Sequence, residues 1–176
     1  MEGTNLMDAY EAIIAKRDRR DYLDKPIPED VQRRILQAGR MAGSSSNTQP
    51  IRLIVMSDPK SETRQKMAAA GPGSAPFVKA PLSIVVALKQ GSRDFDVGRV
   101  AQNMMIAAWS EGVVSCPVGF PQNEVASAVL GLPDDFWAAI GVAFGYPGTP
   151  DPNTPARPNS RRIPLEELVH HERWGA

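Results

Sequence analysis

Three stretches of the chain carry residue types able to hold a ligand. The first is Ala42-Gly43-Ser44-Ser45-Ser46-Asn47-Thr48-Gln49-Pro50. Consecutive hydroxyls, amides and a proline make a poor core and a poor helix, but a loop dense in short hydrogen-bonding groups. Such loops serve function when rigid elements hold both ends, and a solvated connector has the same composition. The second is Lys16-Arg17-Asp18-Arg19-Arg20. At the end of a helix, Lys16, Arg17 and Arg20 would lie on adjacent corners, where arginines can fork onto a dianionic phosphate. The helix dipole favours cations there without any ligand, and Asp18 and Asp21 are potential partners. The third is Arg161-Arg162, a basic pair behind a long extended segment. That segment could bring the pair to the first cluster or across to a second subunit.

Other chemistries find little support. Cys116 is the single cysteine, so no intrachain disulfide forms, which fits a reducing compartment. It stands in apolar surroundings and reads as inert core. His170 and His171 sit near the C-terminus without a spacing that suits a metal. The sequence has no Gly-x-x-x-x-Gly-Lys and no Gly-x-Gly-x-x-Gly. Formal net charge is zero over 176 residues, which points away from nucleic acid. No apolar run reaches a membrane span, and the N-terminus lacks a basic region followed by an apolar one. The expectation is a cytoplasmic protein.

The elements that would position these stretches follow from periodicity. Residues 5–17 predict a helix capped by Asn5, with Leu6, Tyr10, Ile13, Ile14 and Arg17 on one face. Pro28-Glu29-Asp30 opens a second, with Val31, Ile35, Leu36, Ala38 and Ala42 inward. Residues 51–56 read as a central strand covered on both faces. Residues 60–70 read as a short polar helix and 71–76 as a loop or mobile cover. A buried strand covers 82–88. Residues 96–112 form a helix apolar almost all round, more than one chain of this size can enclose, so a subunit interface is expected. Then come a short apolar segment at 113–120, a helix at 123–130 stopped by Gly131, and a third buried strand at 138–144. An extended surface segment and a short helix at 164–170 end the chain. The pattern is α+β, one domain over 1–176 with 147–176 as an extended C-terminal segment.

In this order the motifs resemble the nitroreductase family of FMN-dependent oxidoreductases. Residues 16–23 are similar to the family's basic Arg-Arg-Ser-x-Arg-x-Phe motif. Residues 42–51 match Ala-Pro-Ser-x-x-Asn-x-Gln-Pro-Trp at Ala, Ser, Asn, Gln and Pro. Gln102 to Ala108 resembles the family's dimer-core helix, and Ser115-Cys116-Pro117-Val118-Gly119 its turn beside the flavin ring. Leu130-Gly131-Leu132-Pro133, Gly145-Tyr146-Pro147 and Arg161 to Leu165 are also family-like. The resemblance implies a central, mostly antiparallel sheet flanked by helices in an intertwined homodimer. Lys16, Arg17, Arg20 and Arg162 would hold the FMN phosphate. Ser44, Ser45, Ser46 and Asn47 would reach the ring of the flavin held mainly by the other subunit, with Gln49 near the ribityl chain. Pro117, Val118 and Gly119 would flank the ring, the Gly119 N–H aimed at flavin N5. NADH or NADPH would be the donor and a nitroaromatic, quinone or similar small molecule the acceptor, in ping-pong order. A flavin carrier without efficient turnover and a flavin-fragmenting, benzimidazole-forming enzyme are the alternatives. Asp18 stands where the family has Ser, Gly43 where it has Pro and Ile51 where it has Trp. Short 59–81 and 89–95 segments imply an open substrate pocket.

Overall fold

The computed structural model describes residues 8–149 and 162–175. Four strands form one antiparallel sheet: β1 (Ile51–Met56), β2 (Leu82–Lys89), β3 (Val114–Val118) and β4 (Phe136–Gly145), in the order β1-β2-β4-β3. Alternation along β2 serves two layers. Leu82, Ile84, Val86 and Leu88 meet residues of α2 (Glu29–Arg40) and α5 (Asp94–Ser110) in one core. Val85 joins Phe77, Phe120 and Ala126 in a second core, with α4 (Ala75–Lys79) and α6 (Asn123–Leu130). Gly131 ends α6 in the left-handed conformation that glycine adopts freely. Gly141 lets the two aromatic rings close on β4, since a Cβ there would stand 2.7 Å from Phe120 Cζ and from Phe77 Cδ2.

Several expectations are corrected. The first helix, α1 (Ala9–Ala15), is capped by Asp8, whose carboxylate accepts from the Tyr10 and Glu11 N–H groups; Asn5 and Leu6 lie outside the described residues. The helix stops before the basic cluster, because Asp18 bridges to Ser115 and the Arg19 N–H donates to the Ser115 carbonyl at 2.9 Å. Lys16 to Arg20 therefore run extended beside the start of β3, with no helix corners to share. The strand at 51–56 is an edge strand among the described residues, partly exposed along its length. The segment at 113–120 contains a true strand, β3, whose pairing partner β4 lies far ahead in sequence. The polar helix at 60–70 is α3 (Glu62–Lys66) followed by a 3₁₀ turn, and 71–76 is a 3₁₀ turn running into α4. The last helix is α7 (Leu165–Leu168), exposed along its length. Most of the expected extended segment lies outside the described residues.

Helix α5 buries Val97, Val100, Ala101, Met104, Met105 and Ala108 but leaves Ile106, Ala107 and Trp109 half-buried. Tyr10 and Ile13 on α1 are 72% and 54% exposed, and Trp174 is 89% exposed. A single chain thus leaves much of its expected inner apolar surface uncovered.

Candidate functional site

The basic segment and Gly119 lie at opposite ends of β3. Asp18 and Arg19 pair with Ser115 near the strand's start. The ladder's last pair is Val118 with Gly141, and Gly119 is the exposed residue just beyond it. A Cβ built on Gly119 would meet nothing within 4 Å. Packing within the chain therefore does not require glycine here, and the position opens onto free space beside a backbone amide. Pro117 is half-buried and Val118 buried within the strand.

The cations of the segment have unequal roles. Lys16 forms an ion pair with Asp18. Arg17 Nη1 donates to the carbonyls of Ile14 and Lys16, at 2.7 and 2.9 Å, and so closes the end of α1. Arg19, which the sequence did not single out, donates to the Asp21 carboxylate at 3.0 and 2.6 Å and to the Thr149 carbonyl at 2.7 Å. Arg20 is exposed beside the Cys116 thiol, and no carboxylate pairs with it among the described residues. Burial pushes the Cys116 thiol up, Arg20 opposing it, which keeps the sulfur protonated. Arg20 is thus the cation of this cluster left most available to an anion. Arg162 is exposed ahead of α7, and its neighbour Arg161 lies outside the described residues.

The Arg19–Asp21–Thr149 network ties the basic segment to the chain that leaves β4. The Arg19 hydrogen bonds, foremost, and those from Thr149 hold the Asp21 carboxyl well below its ordinary value of 3.8. A depressed carboxylate stabilises the fold above its unfolded value, and that contribution fades as pH falls through the folded one. The Asp21 side chain is 43% exposed, so screening limits the contribution to less than about 1 kcal/mol. Asp21→Asn should therefore lower stability slightly at pH 7, in urea denaturation, and the gap to the parent should narrow below pH ~4. A gap that widens in acid would contradict this assignment.

The Ser-rich loop is a strained turn. Ser45–Asn47 form one 3₁₀ turn, and Ser46, Asn47 and Gln49 have φ of 48°, 54° and 50°. Non-glycine residues rarely hold this conformation, and clusters of it persist only where neighbours enforce it. The Ser44 hydroxyl accepts from the Gln49 N–H at 2.9 Å, and the Ser45 N–H donates to Asp96 at 3.4 Å. Asp96, only 3% exposed, also faces Arg99 at 3.9 Å. The Arg99 guanidinium packs against Gly43, where a Cβ would stand 2.6 Å from one of its nitrogens. Asp96 and Arg99 escaped sequence reading because they stand on the next long helix, more than forty positions away. Ser45, Ser46, Asn47 and Gln49 are exposed, and Ser44 and Gln49 line a cleft of about 250 Å³ that reaches Asp96 and Val100.

The sheet register keeps the two halves of this site apart. Ser115 stands opposite Phe144, which pairs with Leu82 at one end of β2; the loop leads into Ile51, which pairs with Leu88 at the other end. The basic segment and the loop sit at diagonal corners of the sheet, about 25 Å apart at ~4.8 Å per strand and ~3.3 Å per residue. One chain does not bring them together.

Comparison with known proteins converges on one result. A family model described as the nitroreductase family matches residues 13–90 and 79–146. An NADPH-flavin oxidoreductase from Vibrio harveyi is 29% identical, over 95% of this chain and 75% of its own length. An NADH dehydrogenase from Thermus thermophilus is 30% identical, over 96% of this chain and 98% of its own. The structure of a nitroreductase family protein from Clostridium difficile superposes with a TM-score of 0.83 at 26% identity, covering 95% of this chain and 99% of that one.

Proposed function

The chain belongs to the nitroreductase family, and from that premise we propose that it is an FMN-dependent homodimeric enzyme moving two electrons from NADH or NADPH to a small-molecule acceptor. The observation that carries the reading is the pair of features on β3, with the basic segment at its start and the open Gly119 at its end. A strand's length between them accommodates a ribityl arm. The residues fit the cofactor: an exposed cation without a carboxylate partner for the phosphate, and bare space beside a backbone N–H for the ring. Bound FMN supplies the redox chemistry, taking a hydride equivalent from the nicotinamide and yielding two electrons to a nitroaromatic, a quinone or a similar acceptor.

The chain's own groups bind and orient. Arg20 supplies the forked contact to the phosphate, joined by Lys16, Arg17 and, from the C-terminal segment, Arg162. Asp18 draws Lys16 aside, so Lys16 contributes as half of an ion pair. Pro117 and Val118 hold the strand end that presents Gly119. Ser44, Ser45, Ser46, Asn47 and Gln49 approach the flavin from the partner subunit. No helix among the described residues is long and apolar enough to cross a membrane.

Anaerobic titration of the purified protein tests the reading. NADH or NADPH should bleach the flavin spectrum, an acceptor should restore it, and steady-state rates should give parallel double-reciprocal lines, since donor and acceptor use one open pocket in turn. Flavin that stays oxidised with both nicotinamides would favour a carrier instead.

Mixed dimers test the split site. Arg20→Ala should weaken FMN by about 1.5–3 kcal/mol, the range of hydrogen bonds to charged groups, and riboflavin far less. In a dimer pairing an Arg20→Ala chain with an Asn47→Ala chain, one site inherits both defects and the other neither. Such dimers should regain about half the parent's high-affinity FMN sites. A site built within one chain would regain none.

A further inference from the structure

The Ser-rich loop also borders a second cleft, of about 740 Å³, lined by three cations and two acids. Ser45, Thr48 and Gln49 line one part of it, and Arg52, Lys89 and Arg93 another. Two acids also line it, and both are engaged. Asp135 faces Lys89 at 3.7 Å, and Asp96 faces Arg99 and the Ser45 N–H. Arg52 and Arg93 have no carboxylate partner among the described residues.

Arg52 is fixed without being neutralised. Its Nη1 donates to the carbonyls of Gln49 and Ile51, at 3.1 and 2.8 Å, and its guanidinium lies 5.6 Å from the centroid of the Phe136 ring. A fork held this way loses little freedom on binding an anion. Arg93 stands exposed at the N-cap of α5 and lines the same cleft. A ligand that begins at the Ser-rich loop and extends along this cleft therefore meets two uncompensated cations.

We propose that Arg52 and Arg93 recognise the 2′-phosphate of the nicotinamide donor and so bias the protein toward NADPH over NADH. The inference rests on the flavin reading, which puts the reacting ring beside the Ser-rich loop. The two donors share the nicotinamide and the pyrophosphate. NADPH adds a phosphate monoester carrying about −1.5 to −2 charge at neutral pH.

Calorimetry of the flavin-loaded dimer with 2′,5′-ADP and 5′-AMP tests the assignment, alongside kcat/KM for both donors in the parent, Arg52→Ala and Arg93→Ala. Arg93 is exposed, so its replacement leaves the core intact. The parent should bind 2′,5′-ADP about tenfold or more tightly than 5′-AMP, and each substitution should erode that preference. NADPH kcat/KM should fall about tenfold, NADH much less, with flavin content unchanged. Equal affinity of the parent for the two nucleotides would overturn the proposal. Equal losses with both donors would place the cations on the shared pyrophosphate and also overturn it. Purification without flavin would defeat the flavin reading separately, whatever the nucleotide preference.

Discussion

Arg64→Met is expected to cost about 2–5 kcal/mol of stability, at about 1–3 kcal/mol for each buried carbonyl that loses its donor. Arg64 is fully buried. Its guanidinium donates to the Phe77 carbonyl at 3.1 and 3.3 Å, to the Met56 carbonyl at 3.3 Å, to the Ser83 hydroxyl at 2.8 Å, and to the Ala80 carbonyl. These acceptors end β1, run through α4 and begin β2, so one side chain pins the 57–81 segment under the sheet. Burial draws the Arg64 pKa down to about 10, Asp58 opposing, and the group stays charged at neutral pH. Methionine fills similar volume but supplies no donor; the Met56 and Ala80 carbonyls lose the guanidinium, while the Phe77 carbonyl keeps the Ser83 hydroxyl. Thermal unfolding of flavin-free protein should fall by roughly 10 °C, flavin being removed because a ligand bound only to the folded state masks the loss. A loss under about 1 kcal/mol would mean that water takes over the carbonyls.

Arg64 also shows where sequence reading fails. In the polar stretch 57–66, a buried arginine and a solvated one look alike, because its acceptors come from elements up to nineteen positions away. The same holds for Lys16 to Arg20. Nothing local forbids the helix from continuing, and the pairing with Ser115 wins because a distant strand offers its edge. The apolar run at 51–56 reads as central because nothing in its own residues tells an edge strand from a central one; the pairing order decides that. By contrast, elements whose signals are local are legible. Val31 and Ile35 mark the buried stripe of α2, the unbroken run at 82–88 gives β2, and Gly131 stops α6. The polar loop is legible as a loop from its composition. Its strain is not, because the left-handed backbone at Ser46, Asn47 and Gln49 is held by a tertiary bond to Asp96 as well as by Ser44 within the loop.

Gly119→Pro should lower the rate of flavin reduction about 10²- to 10³-fold, the cost of losing one preorganised donor to developing charge. Proline removes the backbone N–H; it also fixes φ and restricts Val118, so the fold of the variant is checked alongside its rate. With FMN bound as proposed, the donor would already be in place when charge grows on the ring, and no reorganisation would be needed at the moment of transfer. Flavin content should fall much less than rate, since the basic segment proposed to hold the phosphate lies a strand's length away beside Ser115. Gly119→Ala separates the donor from the space. It keeps the N–H, and its methyl meets no protein atom within 4 Å, so the fold tolerates it. Stopped-flow reduction by NADH or NADPH should then show the proline variant slow and the alanine variant within a few-fold of the parent, once both are saturated with FMN. Equal slowing of the two would assign the position to ring clearance, and the N–H would have no part in stabilising charge at the flavin.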